Sequence, residues 1–280
     1  MRDVAIIGAG ELGGLLAHAL ARRSVAGAIH LIDEAGRVAE GKALDITQAA
    51  PIEGFATSVS GSTDTSAAAG ADVIVLADRV GGSEWQGDDA LLLLKRLQRM
   101  ASHAVIVCAG AGQREAIERG VRELRMPRTR IVGSAPEALV SAARAMVALE
   151  IDASPRDVAL AVVGVPPKQN VIVWEDATVS GLALTRTLSE PVRARLTARI
   201  NALWPVGPYA LASAAAKVIG GMLGNSRGLT TCFVAPDDSA GRRTRTAALP
   251  VRLGPSGITE VVWPSLSVAE RVALDTAMLL

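Results

Sequence analysis

Residues 8–13 and Asp33 have the types and spacing of a dinucleotide-binding turn. The turn reads Gly8-Ala9-Gly10-Glu11-Leu12-Gly13 after a short apolar run, and Asp33 ends a second apolar run. In such a turn Gly8 permits the bend, Gly10 lets the backbone approach a pyrophosphate, and Gly13 lets the helix pack closely on the strand. The helix N-terminus then receives the phosphates. Because a carboxylate at position 33 accepts ribose hydroxyls and repels a 2′-phosphate, the pattern predicts NAD as the cofactor.

Composition limits the classes of function. The chain has 280 residues, 50% of them hydrophobic, with a formal net charge of +1. That charge argues against a nucleic-acid partner, and the densest basic segment, residues 241–245, is typical of a solvated loop. No apolar stretch has the length of a membrane span, and the chain enters its first strand without a signal peptide. With only Cys108 and Cys232, which fit a reducing compartment, the sequence predicts a cytoplasmic protein.

The elements that must position the turn alternate along the first half of the chain. Short Val/Ile-rich runs alternate with longer segments of helical period, which is the pattern of a doubly wound parallel sheet with right-handed crossovers. The predicted strands are 4–7, 28–32, 56–60, 72–76, 104–108 and 130–132. The predicted helices are 11–23, 37–49, 88–100, 112–124 and 136–149.

A second region follows the segment Asp152-Ala153-Ser154-Pro155, where the order of elements changes. We predict strands at 158–163 and 171–174, helices at 191–203 and 209–223, a meander of strands at 230–235, 247–252 and 258–262, and a final helix from 267, where Ser267 and Glu270 form a capping box. The fold class is therefore α/β. Residues 1–150 form a Rossmann domain and residues 151–280 a smaller α+β domain.

Several further stretches carry a family resemblance. They read Gly41-Lys42-Ala43-Leu44-Asp45 in a predicted helix, Ala71-Asp72-Val73-Ile74-Val75 in a predicted strand, and Asp88-Asp89-Ala90-Leu91 after the loop that follows it. With Gly164 and the run from Val171 to Trp174, they resemble the lactate/malate dehydrogenase family, especially its malate branch. The resemblance implies a NAD-binding domain followed by a substrate domain, a 2-hydroxyacid oxidoreductase reaction, and a homo-oligomer, either a dimer or a tetramer.

The resemblance also implies catalytic residues that this chain lacks. In the family a histidine takes the substrate hydroxyl proton, an aspartate holds that histidine, and arginines bind the substrate while a hydride moves to or from the nicotinamide. At the histidine turn this chain has Pro166 at the position of the base and Lys168 at the acidic position. The family's Asn-Pro is replaced by Ala109-Gly110, and the helical aspartate is absent.

The arginines of the family are not at their positions either. The loop arginines fall on Gly81 and Gly87. Arg79 is a displaced candidate, and Arg144 is a candidate for the substrate-binding arginine if one residue is inserted before it. Asp78 stands where the family has a glycine near the pyrophosphate, and a carboxylate there repels phosphate unless it points away.

Three hypotheses remain open. The first is a dehydrogenase-fold protein that binds NAD or another adenine nucleotide, with no malate or lactate turnover and a regulatory or structural role. The second is an active NAD-dependent oxidoreductase with rearranged residues, in which a desolvated Lys168, or less favourably Lys217, acts as the base together with Arg79 and Arg144. The third is a non-catalytic subunit of a dehydrogenase oligomer, because the helix around residues 41–49 is an interface element in the family.

Overall fold

A 12-stranded sheet runs through the molecule. The structure, a computed structural model, describes residues 2–224, 228–237 and 244–279. The first half of the sheet is parallel, in the order β3-β2-β1-β4-β5-β6, which confirms the predicted Rossmann topology. Its strands are β1 (Asp3–Ile7), β2 (Ala28–Ile32), β3 (Ser58–Ser62), β4 (Val73–Leu76), β5 (Val105–Cys108) and β6 (Ile131–Gly133).

Helices cover both faces of this parallel sheet. All residues of β4 and β5 are buried, as expected for central strands between two helical layers. The helices of this half are α1 (Glu11–Arg22), α2 (Gly36–Glu53), α3 (Gly87–Met100), α4 (Arg114–Leu124) and α5 (Ala135–Glu150). α1 packs against α2, and α3 packs against α4.

The second half extends the same sheet with antiparallel strands. β10 pairs with β6 and β11, while β11 also pairs with β7 and β12, so the predicted meander is present with β7 inserted beside its middle strand. The strands are β7 (Val158–Val165), β8 (Gln169–Val179), β9 (Leu182–Ala183), β10 (Thr230–Val234), β11 (Ala247–Gly254) and β12 (Gly257–Val261). The helices are α6 (Leu184–Thr187), α7 (Glu190–Asn201), α8 (Pro208–Leu223) and α9 (Val268–Met278). The two halves of the chain share one sheet, because β10 of the second half pairs with β6 of the first. The division into two domains at residue 150 therefore stays a prediction.

Most element boundaries agree with the sequence pattern, and the differences have local causes. α2 continues through Pro51 and ends at Gly54, whose left-handed φ of 77° provides the cap, whereas the pattern predicts an end at residue 49. α4 begins two residues later than predicted. The N–H groups of residues 110–112, which precede it, donate to the side chains of Gln113 and Glu84, and these residues form a turn. The capping box of Ser267 and Glu270 is present at the start of α9.

Two further observations concern regions outside the sheet. Within the three described stretches, no helix combines the length and the apolar character that crossing a membrane requires. Residues 241–243 of the basic segment lie outside the described residues.

The packing of β3 against α2 generates a test of the fold. A Cβ atom at Gly61 of β3 would overlap the backbone of Ala39 and Glu40, whereas a Cβ at Gly41 of α2 meets no atom within 4 Å. We expect Gly61→Ala to lower the free energy of unfolding by about 1–3 kcal/mol through overpacking. Gly41→Ala should raise it by about 0.5–1 kcal/mol, since it restricts the unfolded chain in a helix interior. Urea unfolding measures both variants, and equal effects would contradict this packing.

Candidate functional site

The glycine turn lies between β1 and α1, at the carboxyl end of the parallel sheet. Gly8 has a φ of +116°, which L-residues rarely adopt, and a Cβ there would overlap the carbonyl oxygen of Asp78. The N–H of Gly10 donates to that same carbonyl at 2.9 Å. The turn is therefore held against the end of β4, the neighbouring strand.

The side chain of Asp78 lies at the N-terminus of α1. Its Oδ2 accepts a hydrogen bond from the N–H of Leu12 at 3.2 Å, and its Oδ1 accepts one from the N–H of Gly13 at 3.0 Å. Helix N-termini bind anions because their first N–H groups have no partner within the helix. A Cβ at Gly10 would overlap the carboxylate of Asp78, so the close approach that this glycine permits is an approach to Asp78. The carboxylate points into the turn, which resolves the alternative that the sequence left open.

Asp33 follows β2 and is 8% exposed. Its Oδ2 accepts from the N–H of Ala9 at 2.8 Å and of Val80 at 3.0 Å, and its Oδ1 accepts from the N–H of Ala35 at 2.9 Å. The predicted pairing of the glycine turn with Asp33 is thus present in space. Hydrogen bonds to a charged acceptor contribute about 1.5–3 kcal/mol each, so this carboxylate fixes the geometry of the turn.

Residues 78–86, here called the hairpin, cross the cleft above the glycine turn. Asp78 and Glu84 form an antiparallel bridge, and the N–H of Arg79 donates to the carbonyl of Ser83 at 2.9 Å. At the tip, Gly81 and Gly82 both have positive φ values. A short chain reversal of this kind requires such residues, so Gly81, at the position where the resemblance predicts an arginine, has a local structural role.

The far end of the hairpin is also bonded to the body of the protein. The carboxylate of Glu84 accepts from the N–H groups of Ala111 and Gly112 at 3.0 and 2.8 Å. The indole of Trp85 donates to the carbonyl of Ile7 at 3.3 Å, and the guanidinium of Arg79 lies 4.6 Å from the centre of the Trp85 ring. The hairpin is therefore attached at β1, β2, α1 and the turn after β5.

Two cavities lie on the two sides of the hairpin. The first, the Asp33 cavity, has a volume of about 550 Å³, and its lining includes Ile7, Ile32, Asp33, Arg79, Trp85, Leu93 and Arg96. The second, the Gly10 cavity, has a volume of about 620 Å³, and its lining includes Gly10, Glu11, Lys42, Asp78, Glu84, Ala111 and Leu211.

Sequence reasoning did not assign a role to Lys42, Glu84 or Trp85 at this site. The Nζ of Lys42 donates to the carbonyl of Gly10 at 2.5 Å, so the lysine of the Gly41–Asp45 motif supports the glycine turn. The signal for Glu84 was its position in an acidic loop next to the carboxyl end of a parallel strand, where polar side chains converge.

The structure separates the candidate catalytic residues. Arg79 lies at the cleft, where it pairs with Asp89 at 3.6 Å and lines the Asp33 cavity. Lys168 is exposed at the turn between β7 and β8, whereas the rearranged mechanism requires a lysine shielded from water. Arg144, on α5, lines a different cavity beside Leu160 and Trp263. Pro166 is buried and carries no group that accepts a proton.

Cys108 lies at the end of β5, next to the site, and is fully buried. Burial, with a smaller contribution from the Glu84 charge, raises the pKa of its thiol to about 12. The thiolate is therefore not available as a nucleophile near neutral pH. In the part of the chain that the structure describes, no group of three His, Cys, Asp or Glu residues is arranged to hold a metal ion.

The topology and the turn with its aspartate define a Rossmann-type dinucleotide-binding protein. Residues 2–89 match the family model described as lactate/malate dehydrogenase, NAD binding domain. The malate dehydrogenase of Thermomicrobium roseum is 28% identical, with 98% of this chain and 94% of the relative covered. The malate dehydrogenase of Chlorobium phaeobacteroides is 25% identical, with 97% and 93% covered.

Solved structures have the same fold. The malate dehydrogenase from Salinibacter ruber has a TM-score of 0.87 at 24% identity. The lactate dehydrogenase from Cryptosporidium parvum, complexed with lactic acid and nicotinamide adenine dinucleotide, has a TM-score of 0.89 at 20% identity. Both comparisons cover 99% of this chain and 94% of the other. Residues 2–89 thus match a lactate/malate dehydrogenase NAD-binding domain, and the whole chain is similar to malate dehydrogenases.

The NAD prediction is thus confirmed at the level of the family domain, and the residues present fit only part of the cofactor. Asp33 and the Asp33 cavity provide a carboxylate and apolar walls of the kind that an adenosine requires. The N–H groups of Leu12 and Gly13, which would receive the pyrophosphate, are already bonded to the carboxylate of Asp78. A pyrophosphate therefore does not fit the conformation described.

Proposed function

We propose that this chain is a nucleotide-binding member of its family that does not turn over malate or lactate. It binds NAD or another adenine nucleotide through the adenosine end and has a regulatory or structural role. The observation that carries the proposal is the contrast between the two sides of the cleft. The adenosine side has a buried carboxylate, Asp33, beside a cavity of about 550 Å³, whereas the cavity on the other side of the hairpin is lined by three carboxylates and one lysine.

The Gly10 cavity has the wrong charge for a keto acid. Its lining carries the carboxylates of Glu11, Asp78 and Glu84, and among the lining residues only Lys42 is cationic. Negative potential in a cleft disfavours the approach of a dicarboxylate or of pyruvate. Pro166 stands at the position of the base, and glycines stand at the positions of both loop arginines.

A role as a non-catalytic subunit is the second candidate, and exposed apolar side chains favour it. On α2, the helix that carries the family's interface motif, Leu44 is 59% exposed and Ile52 is 89% exposed. Contiguous exposed apolar patches mark interaction surfaces, and these two side chains on one helix are what supports this candidate. We also propose that the protein forms a homo-oligomer, either a dimer or a tetramer. We propose a cytoplasmic location, because Cys108 and Cys232 are buried free thiols. The alternative of an active enzyme that uses Lys168 lacks the shielded lysine it needs.

We expect the purified protein to show no NADH oxidation with oxaloacetate or pyruvate. A positioned base contributes about 10²–10⁴ in rate, and losing a single charge-stabilising donor costs about 10²–10³. Pro166→His should not restore activity, because the histidine would have neither the supporting aspartate nor the arginines. NADH absorbance follows the oxidation of NADH by the wild type, by Pro166→His and by Lys168→Ala. Turnover by the wild type that disappears in Lys168→Ala would establish the lysine mechanism. Turnover by both the wild type and Lys168→Ala would show that the substrate side is functional without a histidine base or Lys168.

Binding through the adenosine end is tested by titration calorimetry with AMP, ADP-ribose, NAD and nicotinamide mononucleotide. We expect the adenosine ligands to bind and nicotinamide mononucleotide not to bind. Asp33→Ala should weaken binding by about 1–3 kcal/mol, since a ribose hydroxyl loses a charged acceptor. Asp72→Ala is the matched control, because Asp72 accepts a backbone N–H at the opposite end of β4. Absence of binding by every adenosine ligand at millimolar concentration would contradict the proposal.

A further inference from the structure

We infer that the hairpin is a built-in occupant of the pyrophosphate position, which makes the closed protein selective for adenosine ligands without a diphosphate bridge. This inference rests on the proposed function and specifies its ligand class. The ligands are adenosine itself and AMP, and a dinucleotide binds only when the Asp78 carboxylate leaves the N–H groups of α1.

The first step is that the anion-binding groups of α1 are already in use. The carboxylate of Asp78 accepts from both Leu12 and Gly13, and it is 8% exposed. Its negative charge interacts with the positive end of the helix as a phosphate would. A diphosphate at this place would have to displace a hydrogen-bonded carboxylate, and it would meet charge repulsion if the carboxylate stayed.

The second step is that the backbone that carries Asp78 is held in place. Val80, two residues further on, donates to Asp33, and Glu84, opposite Asp78 in the hairpin, is bonded to Ala111 and Gly112. Trp85 is bonded to the carbonyl of Ile7. The diphosphate position therefore opens only when the Asp78 side chain gives up its bonds to Leu12 and Gly13, and this cost falls on NAD and ADP-ribose alone.

The third step is that the Asp33 cavity is open while the hairpin is closed. Its volume of about 550 Å³ is formed with Arg79 and Trp85 of the hairpin as part of the wall. Ile7, Ile32 and Leu93 provide apolar surface for a base, and Trp85 provides an aromatic ring.

Asp33 can still contribute a polar contact in this closed state. A carboxylate has about four acceptor positions, and three N–H groups use three of them, which leaves one for a ribose hydroxyl. The cavity lining also includes the cations Arg79 and Arg96 beside the carboxylates of Glu34, Asp64 and Asp89, so a single phosphate meets both signs of charge there. A ligand that ends at the ribose or at one phosphate thus fits without displacing Asp78.

The experiment compares the calorimetric affinities of adenosine, AMP, ADP-ribose and NAD for three proteins. These are the wild type, Asp78→Gly and Asp78→Asn. The glycine variant removes the carboxylate, and the asparagine variant keeps its volume without its charge, so that one variant remains informative if the other folds poorly. Asp72→Asn is the matched control, since it removes a carboxylate that accepts a backbone N–H at the other end of β4.

We expect wild-type protein to bind AMP and adenosine at least about tenfold more tightly than ADP-ribose or NAD, which corresponds to losing one charge-assisted hydrogen bond. In both Asp78 variants the affinity for ADP-ribose should rise by about tenfold while that for adenosine changes little, and Asp72→Asn should resemble the wild type. The ratio of ADP-ribose to AMP affinity is the decisive quantity.

Two results would overturn the inference, and they are distinguishable from each other. If AMP binds but the ratio is the same in the Asp78 variants as in the wild type, the hairpin does not select ligands, and the proposed function stands. If no ligand binds to any folded variant, both the proposed function and this inference are wrong.

Discussion

The carboxylate of Asp78, bonded to the first N–H groups of α1, determines how the rest of the cleft is arranged. The carboxylate joins the end of β4 to the glycine turn, and the backbone carbonyl of Asp78 accepts a hydrogen bond from the N–H of Gly10. Because the hairpin begins at this residue, its path across the cleft starts from a fixed point. The contacts of Val80 with Asp33 and of Glu84 with the turn after β5 then follow from the same geometry.

A cleft arranged in this way has the architecture of the NAD-binding domain that residues 2–89 match, and we propose that it binds a different class of ligand. The glycine turn, the helix dipole and Asp33 are the parts of a dinucleotide site, yet the protein's own carboxylates bond to their donor groups. Three acidic side chains, Asp33, Asp78 and Glu84, each accept at least two backbone N–H groups around the cleft. Hydrogen bonds to charged acceptors in partly buried positions are among the stronger ones in proteins.

The sequence was sufficient to predict the parallel strand order, the glycine turn and its pairing with Asp33. These features depend on local periodicity and on the rule that parallel strands end at one edge of the sheet. The direction of the Asp78 side chain could not be predicted, because it depends on whether residues 79–86 fold back, and spacing does not determine this. Neither Arg144 nor Lys168 is among the residues that line the two cleft cavities, and this has the same origin, since both positions are set by long-range packing. The continuity of the sheet across residue 150 was missed because β10 and β6, which join the halves, are far apart in sequence.

Amide hydrogen exchange at Leu12 and Gly13 tests the central claim most directly. The rates are compared by NMR between the ligand-free wild type and Asp78→Ala, with Leu16 and Leu20 of α1 as internal references. If the carboxylate holds these N–H groups, exchange at Leu12 and Gly13 should accelerate by about tenfold or more, while the two reference residues change little. Unchanged rates at Leu12 and Gly13, or an equal acceleration along the whole helix, would contradict the account.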